Sequence, residues 1–325
     1  MKAAVITQPG GPEVLKIAER EIPEIGQDEI LIKVRAAGIN RPDIAQRKGN
    51  YPAPEGVSKD IPGLEVSGWV AGFGENVKTW EIGDKICALL GGGGYAEYAS
   101  APQEQCLTIP EGLSLEEAAS LPETFFTVWN NVFEIGKFKK DETVLVHGGS
   151  SGIGVAAIQM ITAMNGQVIT TAGSSEKCET CLDLGASLAI NYQQQDFEEA
   201  IKKALGVKGI DIILDMVGGE YTLKNLRLLN RKGRLIMINA MKNKIGEVDL
   251  LRIMTKELVL TGSTLRPQTK EYKGHIATQL MAKIWPLFPD LIKPVIHTAF
   301  PLAEASEAHR LLESSKHIGK ILLLV

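Results

Sequence analysis

Gly149 and Gly154 stand five positions apart, with Ser150, Ser151, Gly152 and Ile153 between them. They follow the apolar run Thr143-Val144-Leu145-Val146-His147 and Gly148, and they precede an apolar stretch of helical length over 155–164. The two glycines fill the outer positions of a G-x-G-x-x-G pattern, with Ser151 in its middle position and Gly152 just after it. Such a turn lets the backbone approach a diphosphate, whose charge is met by unpaired amides and by the positive end of the helix dipole. A glycine-rich turn alone is as readily a flexible loop. Its place after a strand, before a helix and ahead of five further strands points to a dinucleotide.

The end of the next strand bears on which dinucleotide. Sites preferring NAD place an acidic residue there against the ribose 2′-hydroxyl, whereas this chain reads Ala172-Gly173-Ser174-Ser175-Glu176-Lys177. The acid position is small and uncharged, and Lys177 can reach a 2′-phosphate, so NADPH is favoured as cofactor. Glu176 argues the other way, and Lys177 also reads as a solvated lysine of a first helical turn.

The remaining chemistry-bearing residues are scattered. His147, His275, His297, His309 and His317 have no cluster partners in sequence, and His147 reads as a strand-end packing residue rather than an acid or base. Cys178 and Cys181 form a C-x-x-C without a second pair, which a structural zinc would require. No metal is expected. Arg266 reads as an exposed arginine at a domain junction, or as a group attracting an oxygen-rich acceptor.

These residues need elements to hold them. The first third is rich in turn signals, and its apolar runs at 3–6, 29–36, 66–73, 85–88 and 95–100 have strand length, predicting a mostly β domain with barrel-like closure. From about Leu121 the pattern changes. Near-continuous apolar runs at 143–147, 167–172, 188–192, 210–217, 234–240 and 258–264 alternate with helical stretches, which predicts a doubly wound six-stranded parallel sheet. After Arg266 come helices near 274–287 and 303–314 and a last strand at 319–325, a segment expected to rejoin the first domain. The fold class is therefore α/β in two domains, with boundaries at 1–122, 123–265 and 266–325.

At 325 residues the chain suits two cores, and 44% hydrophobic with 23% charged residues is globular composition. A net charge of -4 offers no field for nucleic acid or anionic lipid, and no run approaches a membrane span. Four dispersed cysteines make no disulfide framework, so the cytoplasm is the expected compartment and a small molecule the expected partner.

Several runs carry a family likeness: Ala37-Gly38-Ile39-Asn40-Arg41-Pro42-Asp43, Gly49-Asn50-Tyr51-Pro52, Pro62-Gly63-Leu64-Glu65-Val66-Ser67-Gly68, Gly94-Tyr95-Ala96-Glu97 and Ile318-Gly319-Lys320-Ile321. With them the chain resembles, almost end to end, the zinc-free quinone oxidoreductase branch of the medium-chain dehydrogenase/reductases. The run from Asn40 through Tyr51 is most like the p53-inducible quinone oxidoreductase subgroup. The resemblance implies a GroES-like catalytic domain built from both chain ends, a Rossmann domain between them, NADPH in the cleft, and a homodimer in which the apolar strand at 235–238 lies near a sheet edge. Zinc-dependent relatives carry a cysteine near Asn40 and a histidine just before Glu65, where this chain has Asn40 and Leu64.

By the same resemblance Asn40 and Tyr51 line the substrate side as hydrogen-bond donors, although Tyr51 also reads as a packing anchor of its turn. Thr127, Tyr192, Gly218 with Gly219, Ala240 and Met241 are implied as cofactor contacts, with Leu265, Arg266 and Lys320 near the cleft. The activity implied is NADPH-dependent reduction of a quinone. The alternatives are reduction of an enone or 2-alkenal, and a non-catalytic dinucleotide-binding protein.

Overall fold

In the computed structural model, which describes residues 1–325, the strand Glu29–Gly38 is the axis of the N-terminal sheet. Its alternation turns Ile30, Ile32 and Val34 into the core and Lys33 outward, the period-two pattern of a half-covered strand. Glu65–Phe73 and Tyr98–Pro102 pair antiparallel with it, and so does Lys320–Leu324, which brings the last residues of the chain beside Gly38. Lys85–Leu89, Cys106–Thr108 and Ile296–Pro301 complete a sheet of seven strands. Val66, Val70, Ile86, Tyr95, Ile321 and Leu323 fill its interior. The helices expected near 274–287 and 303–314 form as Lys270–Lys283 and Ala305–Ser314. All of this belongs to one unit, residues 1–126 and 266–325.

The second unit, residues 127–265, is a sheet of six parallel strands. Their order is Leu188–Asn191, Gln167–Ala172, Thr143–His147, Ile210–Asp215, Leu229–Met237, Val259–Gly262. This is the doubly wound order, and it reverses between Thr143–His147 and Ile210–Asp215, where open α/β sheets bind ligands at their strand ends. Thr143–His147 is buried at every position, which is why it reads as an unbroken apolar run. The run 235–238 lies near the sheet edge as expected, one strand in from it. Leu229–Met237 is paired on both sides, and the edge is Val259–Gly262. No helix is long and apolar enough to cross a membrane.

Candidate active site

In the second unit, crowding sets the shape of the glycine turn. A Cβ on Gly149 would lie 2.0 Å from Thr170 Oγ1, and one on Gly154 would lie 2.3 Å from the Gly148 carbonyl oxygen. Gly148 itself has φ +71°, a left-handed conformation that suits glycine. Ser151, in the middle position of the pattern, caps the helix Gly152–Ala163 by accepting from the Gly154 N–H at 3.0 Å. Gly152 and Ile153, the first two helical residues, have no intrahelical acceptor for their amides, so the turn can receive an anion. Ser150 is buried within it.

His147 anchors this turn from below. Asn225 Nδ2 donates to Asp215 at 3.1 Å, so its Oδ1 accepts from His147 Nε2–H at 2.8 Å, and His147 Nδ1 is left to accept from the Thr171 hydroxyl at 3.0 Å. Burial pushes the His147 pKa down, and the ring is a neutral link, as its strand-end position suggested. Asp215 in turn accepts from the amides of Val217 and Gly218 at 2.6 and 3.2 Å, which ties the Gly218-Gly219 turn, with φ +70° and +60°, to the same network.

At the end of the neighbouring strand, a Cβ on Gly173 would lie 2.8 Å from the Tyr192 hydroxyl, so the exposed Tyr192 ring lies close beside it. Ser174 caps the helix Ser175–Asp183 through the Lys177 N–H at 3.2 Å. The turn, Gly173, Tyr192 and Gly218 therefore gather at the strand ends. The Met241 N–H reaches the Met216 carbonyl at 3.1 Å, which brings Ala240 and Met241 beside them. Thr127 and Leu265 are the first and last residues of this unit, both buried, and neither makes a hydrogen bond to the turn.

The first unit holds a second polar cluster. Lys320 Nζ donates to Asn40 Oδ1 at 2.6 Å, Glu65 Oε1 at 2.6 Å and the Ile39 carbonyl at 3.1 Å, while Asn40 Nδ2 donates to Glu65 Oε1 at 2.8 Å. A Cβ on Gly38 would lie 2.1 Å from Glu65 Oε1, so only glycine leaves room for that carboxylate. Two expectations are corrected here. Asn40 does not turn its amide toward a ligand, because its oxygen is held by Lys320 and its NH2 faces Glu65 and the Gly38 carbonyl. Lys320 is buried with its three ammonium donors engaged, so it has none left for a cofactor.

Asp43 extends the cluster. It accepts from the Asn40 N–H at 2.7 Å, the Gly63 N–H at 3.1 Å and the Tyr95 hydroxyl at 2.9 Å, and burial pushes its pKa up to about 6. Behind Tyr95 lies His309, whose Nδ1 is 3.1 Å from Arg47 Nη1. Arg47 is always a donor, so His309 carries its hydrogen on Nε2 and gives it to the Tyr95 oxygen at 3.2 Å.

Tyr51 differs from these residues. Its phenol oxygen makes no hydrogen bond in the protein, and its ring lies under the Arg266 guanidinium, 5.1 Å away. Arg266, which the sequence leaves as either an exposed arginine or a group attracting an oxygen-rich acceptor, is buried: Nε donates to the Gly91 carbonyl at 2.7 Å and Nη2 to Gln46 Oε1 at 2.8 Å, while Nη1 reaches the Tyr51 and Pro52 carbonyls of the Tyr51 turn, each at 3.4 Å. Burial raises the Tyr51 pKa.

Two family models match the chain, an alcohol dehydrogenase GroES-like domain over residues 26–111 and a zinc-binding dehydrogenase over residues 152–282. Human quinone oxidoreductase is 34% identical over 331 residues, covering 100% of this chain and 98% of the human protein. The chain belongs to the quinone oxidoreductase branch of the medium-chain dehydrogenase/reductases. Among solved members of this superfamily, Escherichia coli quinone oxidoreductase complexed with NADPH superimposes with a TM-score of 0.87 at 28% identity, covering 100% of both chains. An NAD-dependent alcohol dehydrogenase does so with a TM-score of 0.87 at 30% identity, again over 100% of both. The GroES-like and Rossmann halves of this oxidoreductase are thus the seven-stranded and six-stranded units described above.

Reading the sequence missed the roles of Glu65 and Asp43. A signal was present for the first. Glu65 heads an apolar strand and Lys320 another, and a lone charge in such a strand needs an opposite partner.

Proposed function

We propose that this chain is an NADPH-dependent quinone oxidoreductase that works without zinc. The observation that carries the reading is the glycine turn, closed to side chains at Gly149 and Gly154 and opening a helix, with no carboxylate at Gly173 or Ser174 beside it. That composition favours a cofactor bearing a 2′-phosphate, with Lys177 and Tyr192 at the adenosine end. The quinone is supported by the human and Escherichia coli relatives that carry that activity in their names.

Zinc does not fit the residues present. No three His, Cys, Asp or Glu side chains are grouped to hold a metal, and the Lys320 ammonium already stands between Asn40 and Glu65, so an incoming divalent ion would meet a buried cation.

When bound, NADPH supplies the hydride. Tyr51 keeps its proton at neutral pH, because burial raises its pKa, and its unpaired phenol donates a hydrogen bond to an acceptor oxygen as charge grows there. Arg266 holds the ring in place through its anchors at Gly91 and Gln46. The protein works as a homodimer, which is supported by the exposed apolar edge strand Val259–Gly262. The cytoplasm suits its four free, buried cysteines.

The test is turnover. Purified protein is expected to consume NADPH with 1,2- or 1,4-quinones, and Lys177→Ala to weaken NADPH more than NADH. Faster reduction of 2-alkenals than of any quinone moves the substrate to enones, and equal effects of Lys177→Ala on both cofactors defeat the phosphate assignment.

A further inference from the structure

As a hydrogen-bond donor to the acceptor, Tyr51 must hold its phenol in one direction, yet no hydrogen bond within the protein secures the phenol oxygen. The ring is held from its face by Arg266, so whatever fixes Arg266 fixes the donor. We propose that Lys273 is a positioning residue of the reduction, tying down the main chain of Arg266 so that the guanidinium stays over the Tyr51 ring. This rests on the reading of the chain as a quinone reductase in which Tyr51 donates to the acceptor.

Arg266 needs such a tie. It lies in a turn between the strand Val259–Gly262 and the helix Lys270–Lys283, where neither a sheet ladder nor a helix secures its backbone. No main-chain N–H donates to its carbonyl, and its own N–H reaches no main-chain acceptor. Lys273 Nζ donates to that carbonyl at 2.9 Å. The side chain of Arg266 makes short bonds to the Gly91 carbonyl and to Gln46 Oε1, at 2.7 and 2.8 Å. Its bonds to the Tyr51 turn itself are long, 3.4 Å to each of the Tyr51 and Pro52 carbonyls. The Tyr51 ring therefore depends on the guanidinium remaining 5.1 Å from its centre. Tyr51, Gln46, Gly91, Arg266 and Lys273 all belong to the first unit, residues 1–126 and 266–325.

Packing does not account for a lysine at this place. Lys273 shares a face with Ile276, Ala277 and Leu280, at the i, i+3, i+4 and i+7 spacing of a core-facing stripe, and all four are buried. An apolar side chain would fill that position without the cost of taking an ammonium out of water. Lys273 makes no ion pair there, and its bond runs to a main-chain oxygen. The helix has other supports. Thr269 caps it by accepting from the Tyr272 N–H at 3.2 Å, and Ile276, Ala277 and Leu280 dock it. Loss of the amine therefore leaves the helix in place and releases Arg266.

The test compares Lys273→Met, which keeps the length and loses the donor, with Lys273→Arg, which keeps a donor, each with and without Tyr51→Phe. Lys273→Met should lower kcat on the order of 10-fold with the Kd of NADPH unchanged, and Lys273→Arg should restore most of that loss. In the Tyr51→Phe background Lys273→Met should change kcat by no more than about twofold, because the donor it positions is already gone. Losses that multiply overturn the role, since Lys273 would then act apart from Tyr51. NMR of the cofactor-free protein gives a readout independent of turnover. The Tyr51 ring signals, assigned by their absence from Tyr51→Phe, should shift in Lys273→Met and return in Lys273→Arg, while those of Tyr95, buried in the same unit, stay where they are. Tyr51 signals that do not move overturn the role of Lys273 and leave the functional reading standing. A wild type that reduces neither quinones nor alkenals overturns the functional reading, and this role with it.

Discussion

Buried charges decide the behaviour of single residues in the GroES-like unit. Glu65 and Lys320 are both buried and paired at 2.6 Å, so removing one partner leaves the other uncompensated. Lys320→Met is expected to lower unfolding free energy by about 3–5 kcal/mol in urea titrations, and Glu65→Gln combined with Lys320→Met to recover part of that loss. A double variant no better than the single one would count against a coupled pair. His309 gives a pH-dependent counterpart, because burial and the neighbouring Arg47 hold its pKa down to about 3. Below pH 6.5 the unfolded chain takes up a proton that the folded ring refuses, so His309 contributes stability that is present above pH 6.5 and lost as pH falls toward 3. Asp43, raised to about 6, acts with the opposite sign over part of this range. The comparison with His309→Asn therefore isolates the ring: the wild type should lose on the order of 1 kcal/mol more per pH unit between 6 and 4 than the variant does. Residue identities at this cluster were legible, but their orientation was not. The Asn40 amide is set by Glu65 and by Lys320, and the latter stands 280 positions further along the chain.

At the scale of elements, periodicity carried most of the information, because parallel strands covered on both faces must be apolar throughout. Thr143–His147 and Gln167–Ala172 have the bounds that their apolar runs suggested. Leu229–Met237 does not. The run was expected at 234–240, yet the strand starts at Leu229 and passes through Asn230-Arg231-Lys232-Gly233 with a register irregularity opposite Ile210 to Ile212 and with Lys232 at φ +62°. The glycine turn was legible for the opposite reason, since its geometry demands glycine locally. Gly154→Ala brings a Cβ 2.3 Å from a backbone oxygen that cannot swing aside, so the turn must distort. Loss of measurable NADPH binding by calorimetry is expected, with the first unit still folded. Ser151→Ala removes only a helix cap and should cost about 1 kcal/mol of stability, leaving NADPH bound more weakly but detectably. If Gly154→Ala binds the cofactor as the wild type does, the turn is not the diphosphate site.

For the whole molecule the open question is what covers the edge of the six-stranded sheet. Val259–Gly262 has a partner on one side only, and Val259 and Leu260 are exposed on it. The helix Leu250–Lys256 before it buries no residue at all, with Leu250 and Leu251 each 66% and Met254 68% exposed. An apolar surface of this kind beside unpaired backbone groups is the template on which another strand adds, and the proposed homodimer would set a second copy of the same edge against it with twofold symmetry. Neighbouring residues argue that the edge is meant to be covered, since it lacks the lysines, prolines or bulges by which solitary edges are protected. Replacing Leu251 and Val259 together, as Leu251→Glu with Val259→Lys, should therefore shift the protein from dimer to monomer in analytical ultracentrifugation. Neither residue belongs to the glycine turn, so the monomer should still bind NADPH. A wild type that sediments as a monomer at every concentration would remove the second copy as occupant of this face, and would leave an exposed apolar edge that ought then to aggregate on mild heating.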